Sequence, residues 1–237
     1  MTKREASISA QRELFIFIGP PGSGKGTLAD ACVKNLNWKQ LSTGNLCRQH
    51  IAEQTEIGKH IDFAIKSGKL VSDSLVVAMV HDWFSRYLAI HNTVILDGFP
   101  RTVPQAQELS SLLEKNFSNA RLKIMQLEIS DEGVIQRLCS RYLCENKECQ
   151  AVYSTASGSM LAPKVGMICD ICQTRLVRRK DDEEATVRER LSGYYKHEKA
   201  LLDFYRERGE AIQSLSVEKP LEDVFKDFKR LAGFEKR

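Results

Sequence analysis

One segment constrains this chain more than any other. Leu14–Ile18 (LFIFI) runs directly into Gly19-Pro20-Pro21-Gly22-Ser23-Gly24-Lys25-Gly26-Thr27, and a helix-forming stretch follows from about Lys25 to Asn35. A short run with no polar residue is expected for a strand buried on both faces of a parallel sheet. A glycine-rich turn between such a strand and a helix is the setting of a phosphate-binding loop. Glycine permits positive φ, so the backbone can aim several N–H groups inward, and the helix start adds the positive end of its dipole. Lys25 is placed to reach β- and γ-phosphate oxygens. Gly26 separates the lysine from the hydroxyl of Thr27.

The rest of the chain agrees with an α/β fold. Further buried strands are expected at Thr93–Leu96, Leu122–Ile129 and Ala211–Ser216. Helical patterns lie at Ser74–Leu88, Pro104–Lys115, Glu132–Tyr142, Glu183–Glu207 and Leu221–Leu231. Strands alternating with helices predict a parallel sheet flanked by helices. Two stretches break the alternation. Thr43–Ser72 reads as short helices broken at Gly58 and Gly68, and Leu143–Leu176 is rich in turns and holds a cysteine cluster. Both are expected to be insertions. The predicted organisation is a leader at 1–13, a core at 14–41, 72–141 and 179–237, one insertion at 42–71 and a second at 142–178. There is no internal repeat and no low-complexity tract.

Composition excludes several classes. At 42% hydrophobic and 28% charged residues the chain is neither disordered nor fibrous. A net charge of +4 is too small to imply nucleic acid but suits an anionic ligand. No apolar run approaches a membrane span, and the polar start offers no secretory signal, so a cytoplasmic location is expected.

Phosphoryl transfer between two nucleotides gathers several negative charges and needs guanidinium groups converging from separate segments. Arg48, Arg101, Arg137, Arg141, Arg179 and Arg190 are the candidates. Arg101 stands out because it follows a buried strand end and a Gly98-Phe99-Pro100 turn, where open α/β sheets bind ligands. Asp97, at that strand end, suits an acid that orients Mg²⁺ through water.

The chain resembles the nucleoside monophosphate kinases, and among them the adenylate kinase family. The resemblance rests on GPPGSGKGT, on Ser42-Thr43-Gly44-Asn45-Leu46-Cys47-Arg48, on Leu96-Asp97-Gly98-Phe99-Pro100-Arg101-Thr102 with Pro104-Gln105-Ala106, and on Arg179-Lys180-Asp181-Asp182-Glu183-Glu184 continuing to Arg188 and Arg190. These blocks occur in the family's order from Leu14 to about Leu231. The resemblance implies reversible transfer of the terminal phosphoryl group from MgATP to AMP, giving two ADP. Gly22, Ser23, Gly24, Lys25, Gly26, Thr27, Arg141, Val152, Tyr153 and Lys219 would then lie around the donor. Thr43, Arg48, Lys69, Leu70, Val71, Gly98, Phe99, Pro100, Arg101, Gln105, Arg179 and Arg190 would surround AMP. Arg137 and Arg141 would sit on the helix leading into the second insertion, and Asp181 and Asp182 at its border. A glutamine can pair with adenine's amino group and a ring nitrogen together, although an amide can also flip to suit another base. Tyr153 suits either the donor adenine or packing. Asn45 stands where the family commonly has aspartate.

The resemblance implies small-molecule partners, a monomer, and no nucleic acid or membrane. An acceptor other than AMP, or GTP as donor, is the alternative. A non-catalytic nucleotide-binding module would not need Lys25, Asp97, Arg101, Arg179 and Arg190 together, and a nucleic-acid-binding zinc protein would not set its cysteines inside this pattern.

Cys144-x4-Cys149 is followed after nineteen residues by Cys169-x2-Cys172. Two pairs on two turns match a structural zinc site of four thiolates; disulfides and free thiols are the other readings. Many bacterial adenylate kinases carry such a zinc lid, and Pro163-Lys164-Val165-Gly166 resembles those lids as well. Cys32, Cys47 and Cys139 are expected to pack as small apolar residues. The five histidines share no ligand spacing.

Overall fold

The computed structural model describes residues 12–66, 71–87, 90–157 and 159–234. β1 (Glu13–Ile18) lies at the centre of a sheet with β3 (Thr93–Asp97) on one side and β4 (Arg121–Glu128) on the other; β2 (Lys39–Ser42) and β8 (Ile212–Ser216) form the edges. All four pairings in this five-stranded sheet are parallel. The apolar run of β1 is thereby explained. Leu14, Ile16 and Ile18 pack on one face with Val94, Leu96 and Ile124 under helices α4 (Asp73–Tyr87), α5 (Val103–Asn116) and α7 (Glu184–Glu207). Phe15 and Phe17 pack on the other with Ile95 and Met125 under α1 (Lys25–Leu36) and α8 (Leu221–Ala232). There Phe15 stacks on Trp38 at 4.7 Å and meets the edge of Phe228 at 5.6 Å. Successive side chains of a strand point to opposite faces, so a strand covered on both sides has no position for a polar residue.

The expected helices and strands are found with end shifts of a residue or two, and three local expectations are corrected. The helix expected over Glu132–Tyr142 ends early. α6 is Asp131–Cys139, the Ser140 hydroxyl closes it on the Gln136 carbonyl at 2.7 Å, and Arg141 already belongs to β5 (Arg141–Cys144). β5 pairs antiparallel with β6 (Val152–Ser154) and β7 (Leu176–Val177), a small sheet that the turn-rich sequence did not announce. Arg141 therefore sits on the first strand of the insertion and not on the helix before it. Gly58 does not break a helix. The break falls at residues 53–55, between α2 (Thr43–Ala52) and α3 (Glu56–Lys66), and Gly58 lies inside α3. A Cβ at Gly58 would stand 2.0 Å from the His50 carbonyl oxygen, so glycine there lets α3 cross closely over the end of α2. Gly68, Lys69 and Leu70 lie outside the described residues, as does the leader through Gln11.

β2 was not anticipated. Its four residues, Lys39-Gln40-Leu41-Ser42, contain one fully buried side chain, Leu41. An edge strand needs only one apolar contact with the core and so lacks the apolar run that reveals a central strand.

Candidate active site

The loops after β1 and β3 leave the sheet side by side at its carboxyl edge, and the site is built there. In the first, Gly22 (φ 80°) and Gly24 (φ 90°) take left-handed conformations, and Gly24 caps α1. A Cβ at Gly22 would approach Leu138 of α6 to 2.7 Å, so the loop also needs glycine for packing. Ser23 is fully buried, and Gly26 and Thr27 begin α1. The Lys25 ammonium folds over the loop and donates to the carbonyls of Gly19 (2.6 Å) and Pro20 (2.8 Å) and to Ser23 Oγ (3.2 Å). Burial lowers its pKa to about 8; nearby Asp97 opposes the shift, and Arg101 and Arg190 add to it.

Asp97 closes β3, where its Oδ2 accepts from Gln40 Nε2 at 3.3 Å. A Cβ on Gly26 would lie 3.5 Å from the same oxygen, which sets the carboxylate against the start of α1. An acid beside the phosphate loop fits the water shell of a magnesium ion carried by a triphosphate. The turn after it is held tightly. Gly98 has φ 79°, its carbonyl accepts from Thr43 Oγ1 (2.9 Å) and Arg101 Nε (2.8 Å), and Phe99 is 1% exposed. Gln105, on the first turn of α5, accepts from the Arg101 backbone N–H at 2.8 Å.

The remaining cations converge from four elements and from the segment before Lys180 that carries Arg179. Arg48 rises from α2, where Ser42 caps the helix and the Asn45 side-chain oxygen accepts from Arg48 Nη2. Arg137 reaches from α6 to the Ser23 carbonyl (3.4 Å) and to the Val217 carbonyl. Arg141 makes a two-pronged pair with Asp182, Nε at 2.8 Å and Nη2 at 2.6 Å. Arg190 pairs with Asp181 at 3.0 Å and stands 3.5 Å from Asp182. Arg179 is held down to about 10, first by burial and then by the charges of Arg141 and Arg48. The Nε atoms of Arg48 and Arg179 are buried without a hydrogen-bond partner. Buried donors on mutually repelling cations are a poor arrangement for stability and a good one for an anion.

Val71 packs partly buried against the core. Lys219 pairs with Asp227 beyond β8, two residues from the Val217 carbonyl that Arg137 grips. Tyr153 of β6 is buried with Cys144, Cys169 and Leu176, and its hydroxyl takes the Asp170 N–H at 2.7 Å and meets Cys169 Sγ at 3.4 Å; this is its packing role. Its neighbour Val152 is exposed.

The four cysteines of the insertion converge, with all sulfurs within 4.8 Å of one another. Cys144 Sγ lies 3.2 Å from Cys172 Sγ, and Cys149 Sγ 3.7 Å from Cys169 Sγ. Zinc bound to four thiolates at about 2.3 Å requires sulfurs about 3.8 Å apart, and a cage of this size is compatible with that ion. Cys32 is buried in the core, and Cys47 packs half-buried against it.

Sequence reasoning missed Asp73, which joins Thr102 and Gln105 at the base of the Arg101 turn. An aspartate opening a helix reads as a helix-start preference, and nothing local reveals a partner about thirty residues ahead.

A glycine loop on a parallel sheet, faced by cations from so many elements, defines a P-loop phosphotransferase acting on polyanionic small molecules. The comparisons narrow the class. The sequence model of the adenylate kinase family matches residues 17–210. The chain is similar to the adenylate kinase of Kosmotoga olearia, 37% identical over 220 residues that cover 92% of this chain and 99% of that protein. It is likewise similar to the adenylate kinases of Streptomyces avermitilis (36%, covering 89% and 92%) and Clostridioides difficile (36%, covering 92% and 98%). The chain belongs to the adenylate kinase family, whose members transfer a phosphoryl group between ATP, with Mg²⁺, and AMP.

Proposed function

We propose that the site divides its work as follows. Gly22–Thr27 and Lys25 hold the donor phosphates, with Arg137 and Arg141 above them and Val152 and Lys219 toward the donor nucleoside, while Tyr153 packs the insertion. Arg48 and Arg101 hold the AMP phosphate, Thr43, Val71, Gly98, Phe99, Pro100 and Gln105 enclose the nucleoside, and Arg179 and Arg190 neutralise charge between the two nucleotides. The family resemblance assigns Lys69 and Leu70, which lie outside the described residues, to the acceptor as well. The observation that carries this reading is the pair of buried, unpartnered guanidinium Nε atoms on Arg48 and Arg179. Each takes up a phosphate oxygen at little cost because neither gives up a protein partner.

Phosphoryl transfer then needs no covalent intermediate on the protein. The acceptor phosphate oxygen attacks in line while the arginines and Lys25 hold both nucleotides in register and compensate charge as it spreads over the transferring group. Asp97 would hold, through water, the Mg²⁺ that a triphosphate carries, and that ion would supply further charge neutralisation there. The core is residues 14–41, 72–140 and 179–234; the 42–71 piece carries the acceptor side and the 141–178 piece is a lid. Zinc held by Cys144, Cys149, Cys169 and Cys172 is structural: four thiolates leave no open position for substrate, and so small a flap has little core of its own. The protein works as a cytoplasmic monomer on ATP, AMP and ADP and binds neither nucleic acid nor membrane; no described helix is long and apolar enough to cross one.

A coupled assay of ADP formation against AMP, UMP, CMP and GMP, with ATP and then GTP as donor, tests the assignment. AMP with ATP should be the best pair. A pyrimidine monophosphate as best acceptor at equal concentration contradicts the reading of the acceptor pocket.

A further inference from the structure

The base-facing amide carries an ambiguity that the structure resolves. Adenine presents an N–H donor (its 6-amino group) beside an acceptor (N1). A 6-oxopurine presents the reverse, an acceptor at O6 beside an N1–H donor. Half a turn about its last side-chain bond exchanges the two ends of a glutamine amide and would let it read the 6-oxopurine as readily.

Gln105 has no such freedom. Its Oε1 accepts from the backbone N–H of Arg101 at 2.8 Å, and its Nε2 donates to Asp73 Oδ1 at 2.6 Å. A backbone N–H only donates and a carboxylate only accepts, so chemistry fixes the amide's orientation. Reversal would turn N–H toward N–H and oxygen toward carboxylate at once, in a side chain 3% exposed, where water cannot take over the lost bonds. Asp73 is itself held. Thr102 Oγ1 donates to its second oxygen at 2.9 Å and accepts from the Gln105 N–H at 3.4 Å. The carboxylate stands at the start of α4, the threonine caps α5, and the two helices pack together, so the lock is set by the fold.

We propose that Asp73 is a positioning residue that sets the polarity of the Gln105 amide and so makes the acceptor site select a 6-aminopurine monophosphate over a 6-oxopurine one. With both internal bonds made, Gln105 keeps one N–H and one oxygen lone pair, the complement of adenine's N1 and 6-amino group. This inference rests on the reading of Gln105 as the residue that meets the base.

The test compares AMP with inosine monophosphate, which differs from it only along this edge, by kcat/KM in the purified full chain. The unmodified protein should prefer AMP by about a hundredfold or more. Asp73→Ala should narrow that ratio at least about tenfold, with the inosine monophosphate value rising in absolute terms. Asp73→Asn can still accept from Gln105 Nε2 through its carbonyl and donate to Thr102 Oγ1 through its amide, so it should hold the ratio within about threefold. Should Asp73→Ala not fold, Asp73→Thr replaces it, because a hydroxyl suits a helix start and accepts or donates equally; the same narrowing is expected. A fall in both kcat/KM values by one common factor, with the ratio unchanged, overturns the lock while leaving Gln105 its role. Gln105→Ala separates the two claims. It should abolish discrimination, and an unchanged ratio there overturns the reading of Gln105 and the lock together.

Discussion

Asp182→Asn tests how the second insertion is fastened to the core. Asp182 is fully buried in the 3-10 turn Lys180–Asp182 that returns the chain from that insertion to α7, while Arg141 opens β5, the insertion's first strand. Their two-pronged contact therefore ties the outgoing and returning chains, and Arg190 stands against the same carboxylate. The amide keeps the shape, removes the charge and turns one acceptor into a donor facing a guanidinium. Breaking a buried pair on one side costs about 3–5 kcal/mol. The Arg141 side chain is 17% exposed, so water repays a part and the lower end, about 3 kcal/mol, applies. For a chain of this size that is a melting temperature lower by about 6–12 °C. Calorimetry of the unmodified and variant proteins measures it. Asp182→Leu combined with Arg141→Met leaves no stranded charge in the pair and should recover more than half of the loss. A shift under about 2 °C in the single variant refutes the argument that this pair is a buried fastening.

Three further outcomes are expected. Arg101→Ala should lose about 3–5 kcal/mol of transition-state stabilisation in kcat/KM with little change in melting, since the side chain lines a cleft; near-normal turnover would remove it from the chemistry. Because the Lys25 pKa is lowered to about 8, kcat/KM for ATP should fall as pH rises through that value, where the free enzyme loses the ammonium that ATP needs. The stability contribution has the opposite sign: the folded state releases this proton before the unfolded one, so stability from Lys25 rises between about pH 8 and 10.5, and a flat ATP profile from pH 7 to 9.5 would contradict the shift. Cys169→Ser should lower the melting temperature and reduce bound zinc from one per chain, while low-temperature activity falls less than in Arg101→Ala; elemental analysis finding no zinc in protein purified under reducing conditions, with melting unchanged by chelation, would leave the cysteines as thiols.

What the sequence revealed and what it hid follow from the range of the forces involved. LFIFI announced the central strand because both faces are covered, and the phosphate loop was legible because φ and phosphate approach are local demands on glycine. The cysteines were legible because two close pairs set on turns are a local pattern. β2 was hidden because an edge strand needs only Leu41 in the core. The end of α6 was hidden because pairing with Val152–Ser154, ten and more residues ahead, outcompeted helix continuation at Arg141. Asp181 and Asp182 were seen as lid-border acids, but that Asp182 grips Arg141 is a contact across 41 residues that no pattern encodes. The same holds for Asp73 and Gln105, 32 residues apart.

The most direct test of the whole account follows phosphorus by ³¹P NMR in a mixture of ATP, AMP and Mg²⁺ with the purified protein. The account predicts that ATP and AMP signals fall together as ADP appears, that two ADP form for each ATP lost, and that no inorganic phosphate accumulates. Inorganic phosphate rising without ADP formation from AMP, or an unchanged spectrum, would contradict it.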